Sequence, residues 1–218
     1  MLIQDNILKE YLKNVYFVTG TACGGKSTIS RALGREFGFE VFNIDDRFEE
    51  HRAKSDPLIQ VNMNKNFANA DEFFLRPVEE YTKWLLDNAR EQLDFIILDL
   101  IRISQDRPVI CDSHITAEEA DVLTVPERTV FLIKEPTDIS ELISDYSGRP
   151  DHTDFRDYLN SATDAEKARY NCGKVLYELN RDACKKIKAS RYRWIERTAD
   201  STVEKTMKMV ADHFGFKK

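Results

Sequence analysis

Short apolar runs alternate with longer amphipathic stretches along most of this 218-residue chain. The apolar runs have the length and composition of buried strands and cover residues 15–19, 39–44, 108–112, 128–136 and 192–198. Amphipathic stretches predict helices over 5–13, 26–38 and 45–54, from Pro77 onward, after residue 112, and over 162–189 and 201–215. Ser201 and Glu204 predict a capping box at the start of the last of these helices. Residues 55–75 predict a loop with short helical pieces, and 137–159 a helix interrupted around Gly148 and Pro150. This order predicts an α/β fold with a mainly parallel, five-stranded sheet.

Two segments compete for one strand of that sheet. Residues 95–99, "FIILD", and residues 108–112, "PVICD", each end four apolar positions with an aspartate. The first also continues the apolar stripe of the preceding helix, and the polar "SQDR" resembles the end of that helix. We therefore assign 95–103 to helix and 108–112 to strand, which leaves Asp99 as the alternative strand-end carboxylate.

A glycine-rich loop follows the first predicted strand. Residues 20–27, "GTACGGKS", match G-x-x-x-x-G-K-[ST] and open a predicted helix. Glycines let backbone N–H groups approach phosphate oxygens, Lys26 reaches the terminal phosphates, and the Ser27 hydroxyl suits Mg²⁺. The loop predicts a site for ATP and Mg²⁺ formed by Gly20, Thr21, Ala22, Cys23, Gly24, Gly25, Lys26, Ser27 and Thr28.

Composition narrows the class of protein. A net charge of −6 disfavours nucleic acid as a partner, and no apolar stretch is long enough for a membrane span. The four cysteines show no metal-binding spacing and predict reduced thiols in a cytoplasmic protein. The apolar spacing of "WLLDNAREQLDFIILDL" fits the core or an oligomer contact, such as that of a homodimer. The basic "KKIKASRYRWIER" is better explained by a helix end and the last strand than by nucleic-acid binding.

The early phosphate loop, the acidic motif after the second strand, the short length and a late charged segment resemble the small-molecule and nucleoside-monophosphate kinases of the P-loop superfamily. That superfamily includes the shikimate, gluconate, adenylylsulfate and zeta-toxin kinases. The resemblance implies a single domain over 1–218 with a three-layer α/β/α P-loop fold. It also implies a helical lid near 137–160 and transfer of phosphate from Mg-ATP to a small acceptor.

The resemblance also implies roles for the motif "NIDDRF". In these kinases an acidic residue after the second strand orients or deprotonates the acceptor hydroxyl, and a nearby arginine binds an acceptor anion. Asp45, Asp46 and Arg47 occupy those places, with Asp45 preferred as the base. The alternative is that Asp45 caps the next helix while Asp46 is a solvated residue of its first turn. The spacing Asp-Asp-Arg departs from the Asp-x-Asp of shikimate kinase. The resemblance therefore does not assign shikimate as the substrate of this chain.

Four further residues complete the candidate site. Asp112 ends its strand and is a candidate for holding a Mg²⁺-bound water or facing the acceptor, although it could instead cap the following turn. His114 is a candidate acceptor contact or a solvated turn residue. Arg149, between Gly148 and Pro150, and Arg156 are candidate lid cations for the transferred phosphoryl group, or ordinary surface arginines.

The leading functional hypothesis is therefore an ATP-dependent phosphotransferase that acts on a small metabolite or nucleotide. An NTPase or a non-catalytic nucleotide sensor is the alternative. A GTPase is disfavoured because "NKNF" at 64–67 lacks the aspartate of the N-K-x-D guanine motif.

Overall fold

The computed structural model describes residues 3–217, apart from the side chain of Asp151. Within them, five strands form one parallel sheet in the order β2-β3-β1-β4-β5. The strands are β1 Val15–Gly20, β2 Glu40–Asn43, β3 Val109–Asp112, β4 Thr129–Ile133 and β5 Arg193–Glu196. The α/β fold with a five-stranded parallel sheet is thus confirmed.

Helices occupy the segments between and after the strands. They are α1 Asp5–Tyr11, α2 Lys26–Phe37, α3 Phe48–Lys54, α4 Ala70–Phe74, α5 Val78–Ile103, α6 Ala117–Leu123, α7 Ile139–Ser147, α8 Thr153–Asn160, α9 Ala165–Ala189 and α10 Val203–Phe214. Single 3-10 turns cover Asp45–Arg47, Pro126–Arg128 and Pro150–His152. No helix in the described part of the chain is long and apolar enough to cross a membrane.

The competition between "FIILD" and "PVICD" is resolved as expected. Residues 95–103 form the last turns of α5, and Val109–Asp112 is a fully buried strand between β1 and β2. Asp99 therefore lies on a helix, where it pairs with Arg102 at 3.1 Å, and is not a strand-end carboxylate.

Two local predictions are corrected at helix starts. Ser201 and Glu204 do not form a capping box, because α10 begins one residue later, with Thr202 as its N-cap accepting from the Lys205 N–H. The Ser201 hydroxyl instead accepts from the Thr198 N–H at 2.9 Å. The helix expected from residue 45 begins at Phe48, after the 3-10 turn Asp45–Arg47.

The chain divides into two compact units. The first comprises Met1–Arg47, Phe95–Glu135 and Ala183–Lys218 and contains the whole sheet. The second comprises Phe48–Asp94 and Pro136–Asp182. The expected lid segment, 137–160, belongs to the second unit, and its interruption around Gly148 and Pro150 separates α7 from α8.

The sheet is buried on both faces, as a parallel sheet requires. On one face, Val18, Ile110 and Val130 pack with residues of α2 and α10, including Leu33 and Phe214. On the other face, Phe17, Cys111 and Phe131 have no solvent exposure. Alternating side chains thus anchor the strands, and the loops at their carboxyl ends are held by a rigid core.

The second unit has its own apolar core. Aromatic and aliphatic side chains of α4, α5 and α7–α9 form it, including Phe74, Tyr81, Leu159 and Val175. The four cysteines of the chain are all buried and unbridged, and Cys172 lies in this core.

Candidate functional site

The phosphate loop connects β1 to α2 and is tied to the neighbouring strand β4. The Thr21 N–H donates to the Leu132 carbonyl at 3.1 Å, and the Lys134 N–H donates to the Thr21 hydroxyl at 2.8 Å. These bonds join the loop to the carboxyl end of β4 in the first unit. The conformation of the loop is therefore fixed by the sheet and not only by its own residues.

Two glycines of the loop are required by its geometry. A Cβ atom on Gly24 would lie 2.2 Å from the Leu132 carbonyl oxygen, which is far inside van der Waals contact. Gly25 precedes α2 with a φ of +95°, a backbone conformation that glycine adopts without steric cost. Cys23 has a φ of +60° and is the non-glycine residue with a left-handed backbone within 3–217. The loop stores some backbone strain at Cys23.

Lys26 and Ser27 begin α2 and supply the polar groups of the loop. The Lys26 ammonium folds back and donates to the Thr21 carbonyl at 2.8 Å. The Ser27 hydroxyl lies beside the carboxylate of Asp112 and acts to lower the pKa of that carboxyl. Ala22 and Thr28 complete the predicted loop, with Thr28 exposed in the first turn of α2.

Asp112 lies at the carboxyl end of β3, paired with Val18 of β1 and Asn43 of β2. Its side chain lies in a residue that is only 4% exposed. Burial raises the pKa of the Asp112 carboxyl, while the Ser27 hydroxyl and the Lys26 ammonium oppose that rise. The sheet thus brings a buried carboxylate from residue 112 to the hydroxyl of residue 27.

Asp45, Asp46 and Arg47 form the 3-10 turn that follows β2, and both carboxylates are exposed. The Asp45 N–H donates to the Asn43 side chain at 2.9 Å, which fixes the start of the turn. Electrostatically, Asp45 raises the pKa of the Asp112 carboxyl. Arg47 lies with its guanidinium 5.6 Å from the centre of the Phe42 ring.

His114 follows the same strand end. The residue is exposed, yet loss of solvation from the surrounding protein lowers the pKa of His114, and Lys26 acts in the same direction. Asp45 opposes that lowering. Lys26 and Asp45 therefore both act on Asp112 and His114 at one edge of the sheet, where the strand carboxyl ends meet.

Arg149 and Arg156 belong to the second unit. Arg149 precedes the 3-10 turn Pro150–His152, and Arg156 donates to the Ser147 carbonyl at 3.3 Å, which joins α8 to the end of α7. Their predicted role as lid cations stays a prediction.

Sequence reasoning missed Arg197. This residue follows β5, where its N–H donates to the Ile133 carbonyl at 2.8 Å and its guanidinium to the Cys23 carbonyl at 2.9 Å. It therefore supports the strained residue of the phosphate loop from a position 174 residues further along the chain. A signal was present, because residues just after parallel strands converge at one edge of a sheet.

Two side chains at this edge of the sheet suit a Mg²⁺ ion. Ser27 and Asp112 both offer oxygen, the ligand type that Mg²⁺ prefers, and a buried carboxylate gains from a nearby cation. Among the described residues, no group of three or more His, Cys, Asp or Glu side chains is placed to hold a metal ion. Ser27 and Asp112 thus fit a Mg²⁺ ion that is bound mainly by phosphate and water.

Comparison with known proteins gives a likeness of fold. No family model matches the chain, and no curated protein matches it. Among solved structures, the chain is similar to shikimate kinase from Acinetobacter baumannii in complex with shikimate, with 15% identity and a TM-score of 0.45. The match covers 91% of this chain and 90% of that chain. At this level of similarity, function has to be inferred from the residues of this chain.

Proposed function

We propose that this chain is an ATP-dependent phosphotransferase that acts on a small acceptor. The observation that carries the proposal is the placement of Asp112, a buried carboxylate at the end of the strand adjacent to β1, beside Ser27 of the phosphate loop. Nucleoside-triphosphate enzymes hold Mg²⁺ with this pair of side chains. A loop that served only as a tight turn would have no need of the second residue.

The donor half of the site consists of the loop, Lys26 and the start of α2. Backbone N–H groups and the positive end of α2 favour the β- and γ-phosphates, and Lys26 exchanges its bond to the Thr21 carbonyl for phosphate oxygens. When bound through Ser27 and Asp112, Mg²⁺ would neutralise phosphate charge. Phosphoryl transfer depends mainly on such positioning and charge neutralisation.

The acceptor half is centred on Asp45. An exposed carboxylate after β2 can accept the proton of an acceptor hydroxyl, and its charge already acts on Asp112 and His114. Asp46 is the alternative base in the same turn, and Arg47 and His114 are acceptor contacts. Arg149 and Arg156 remain the candidate lid cations for the transferred phosphoryl group. A small acceptor suits the net charge of −6 better than a nucleic acid does.

ADP release with and without a library of small hydroxyl- and phosphate-bearing compounds tests the proposal. We expect release only when an acceptor is present, and its loss in Lys26→Ala. The control is Lys13→Ala, which removes an exposed lysine paired with Glu10. Release that is independent of every acceptor would identify an NTPase. ATP binding without release would identify a sensor, and either result would overturn the proposal.

A further inference from the structure

Four aromatic rings surround the guanidinium of Arg76 in the second unit. Its central carbon lies 4.5 Å from the ring centre of Phe67, 5.0 Å from Phe73, 4.3 Å from Tyr81 and 4.7 Å from Trp84. We call this group the aromatic box. Cation–π attraction stabilises an arginine inside it, but replaces only part of the hydration that the charge has lost.

The nitrogens of Arg76 are not satisfied by protein. The residue is 8% exposed, and no hydrogen-bond acceptor among the described residues is in reach of its Nε, Nη1 or Nη2 atoms. Loss of solvation lowers the pKa of Arg76, while Glu80 and Glu72 oppose that change without bonding to it. A buried guanidinium normally has carboxylate, carbonyl or phosphate partners. The three nitrogens of Arg76 are thus donors without an acceptor.

The position of Arg76 along the chain points to the sign of the missing partner. It lies two residues before α5, whose first residue is Val78, and the box residues Tyr81 and Trp84 come from the first two turns of that helix. The positive end of a helix favours an anion and disfavours a cation. An anion bound to Arg76 would satisfy the guanidinium and the helix end together.

We propose that Arg76 binds an oxyanion group, a carboxylate or a phosphate, and that Phe67 covers this position until the anion arrives. This inference goes beyond the proposed function and concerns the second unit alone. The planar fork of a guanidinium matches both oxyanions through paired N–H···O bonds. Arg76 would then be a binding residue.

Phe67 is the wall of the box that can move with least disruption. Phe73, Tyr81 and Trp84 belong to α4 and α5, whereas Phe67 lies in the irregular segment 65–69 and is only half-buried. The exposed Lys65 lies with its ammonium 5.1 Å from the Phe67 ring and 3.6 Å from the Glu80 carboxylate. Displacing the Phe67 side chain is therefore the smallest conformational change that would expose the Arg76 guanidinium to solvent.

Fluorescence of Trp84 reports on the box directly. The chain has two tryptophans, so a Trp194→Phe background leaves Trp84 as the sole tryptophan. Inorganic phosphate and acetate are titrated separately into this protein, at constant ionic strength with chloride as the reference anion. Lys26→Ala in the same background removes the contribution of the phosphate loop. We expect a saturable change with at least one of the two probes, which also shows whether phosphate or carboxylate is preferred.

Three substitutions sharpen the result. Arg76→Met should abolish the saturable change, and Arg76→Lys should weaken it about tenfold because the paired donors are lost. Phe67→Ala should lower the half-saturation concentration about fivefold, because an open site no longer competes with its cover. Phe67→Leu is the second variant if Phe67→Ala does not fold, as judged by circular dichroism.

The proposal is overturned if neither probe gives a saturable change in the parent protein or in the Phe67 variants. It is also overturned if Arg76→Met responds as the parent protein does. In both cases Arg76 is a structural cation of the box. The titration uses neither ATP nor turnover, so a negative titration does not contradict the phosphotransferase proposal, which the ADP-release assay tests. Likewise, a negative ADP-release assay does not contradict anion binding at Arg76.

Discussion

The guanidinium of Arg197 donates to the backbone carbonyl of Cys23 at 2.9 Å, and so joins the end of β5 to the phosphate loop. Cys23 has a left-handed backbone with a φ of +60°, a conformation that persists only where the surroundings hold it. The bond therefore stabilises the left-handed conformation of the phosphate loop at Cys23. Arg197 is a positioning residue of the proposed donor site.

We expect Arg197→Ala to weaken ATP binding roughly tenfold, the loss of about one charged hydrogen bond. Titration calorimetry with Mg-ATP measures the change. The matched control is Arg193→Ala, which removes an exposed arginine of β5 itself. Equal ATP affinity in the Arg197 and Arg193 variants would show that the bond to Cys23 does not order the loop.

Asp112→Asn tests the buried carboxylate beside Ser27. The amide keeps the size of the side chain but removes the charge that favours a bound cation. We expect acceptor-dependent ADP release to fall by about two orders of magnitude, with a higher Mg²⁺ concentration needed for half-maximal rate. The apparent Mg²⁺ requirement is measured by titrating Mg²⁺ at fixed ATP.

Asp99→Asn is the control for this substitution, because Asp99 is also a buried aspartate of the first unit but lies on α5 beside Arg102. Its Mg²⁺ requirement should equal that of the unmodified protein. A common shift in both variants would trace the effect to general destabilisation and contradict the role of Asp112.

The phosphate loop could be predicted from the sequence because all of its parts are close together along the chain. The phosphate loop, its strand and its helix occupy consecutive residues, and each has a spacing with a physical reason. The choice of "PVICD" over "FIILD" also followed from periodicity, since residues 93–101 continue a helical stripe. That choice placed Asp112 at a strand end.

The contacts that sequence reasoning missed depend on tertiary structure. Arg197 and Cys23 meet only because β5 is parallel to β4 and β4 to β1. The aromatic box draws Phe67 from a loop, Phe73 from α4 and Tyr81 from α5, and residues 55–75 carried no readable periodicity. The error at Ser201 was of another kind, because Ser201, Thr202 and Glu204 offer two overlapping N-cap patterns that only backbone geometry separates.

Asp45→Asn tests the proposed base. ATP affinity should be unchanged, because Asp45 lies after β2 and outside the phosphate loop. Turnover with a saturating acceptor should fall about a hundredfold if this carboxylate accepts the hydroxyl proton. Asp46→Asn, one position along the same exposed turn, is the matched control. If Asp46→Asn loses turnover and Asp45→Asn does not, the roles of the two aspartates are exchanged.

Alkaline pH should destabilise the second unit through Cys172. Burial raises the pKa of this thiol from its ordinary value of 9 to about 12, and burial likewise raises the pKa of Tyr81, whose hydroxyl lies 4.0 Å from the Cys172 sulfur. The unfolded chain releases the thiol proton above pH 9 while the folded chain keeps it. The free energy of unfolding therefore falls as pH rises from 9 towards 12.

Between pH 8 and pH 10 this thiol alone should remove about 1 kcal/mol from the free energy of unfolding. Urea unfolding in the presence of reductant, followed by Trp84 fluorescence in the Trp194→Phe protein, measures the fall. Cys172→Ala should lower stability at pH 8, because a buried side chain is truncated, and should reduce the further loss at pH 10 by about that amount. Tyr81→Phe should reduce it less, since the ordinary pKa of tyrosine is already near 10. If Cys172→Ala and its parent lose the same free energy of unfolding between pH 8 and pH 10, folding does not raise the pKa of this thiol.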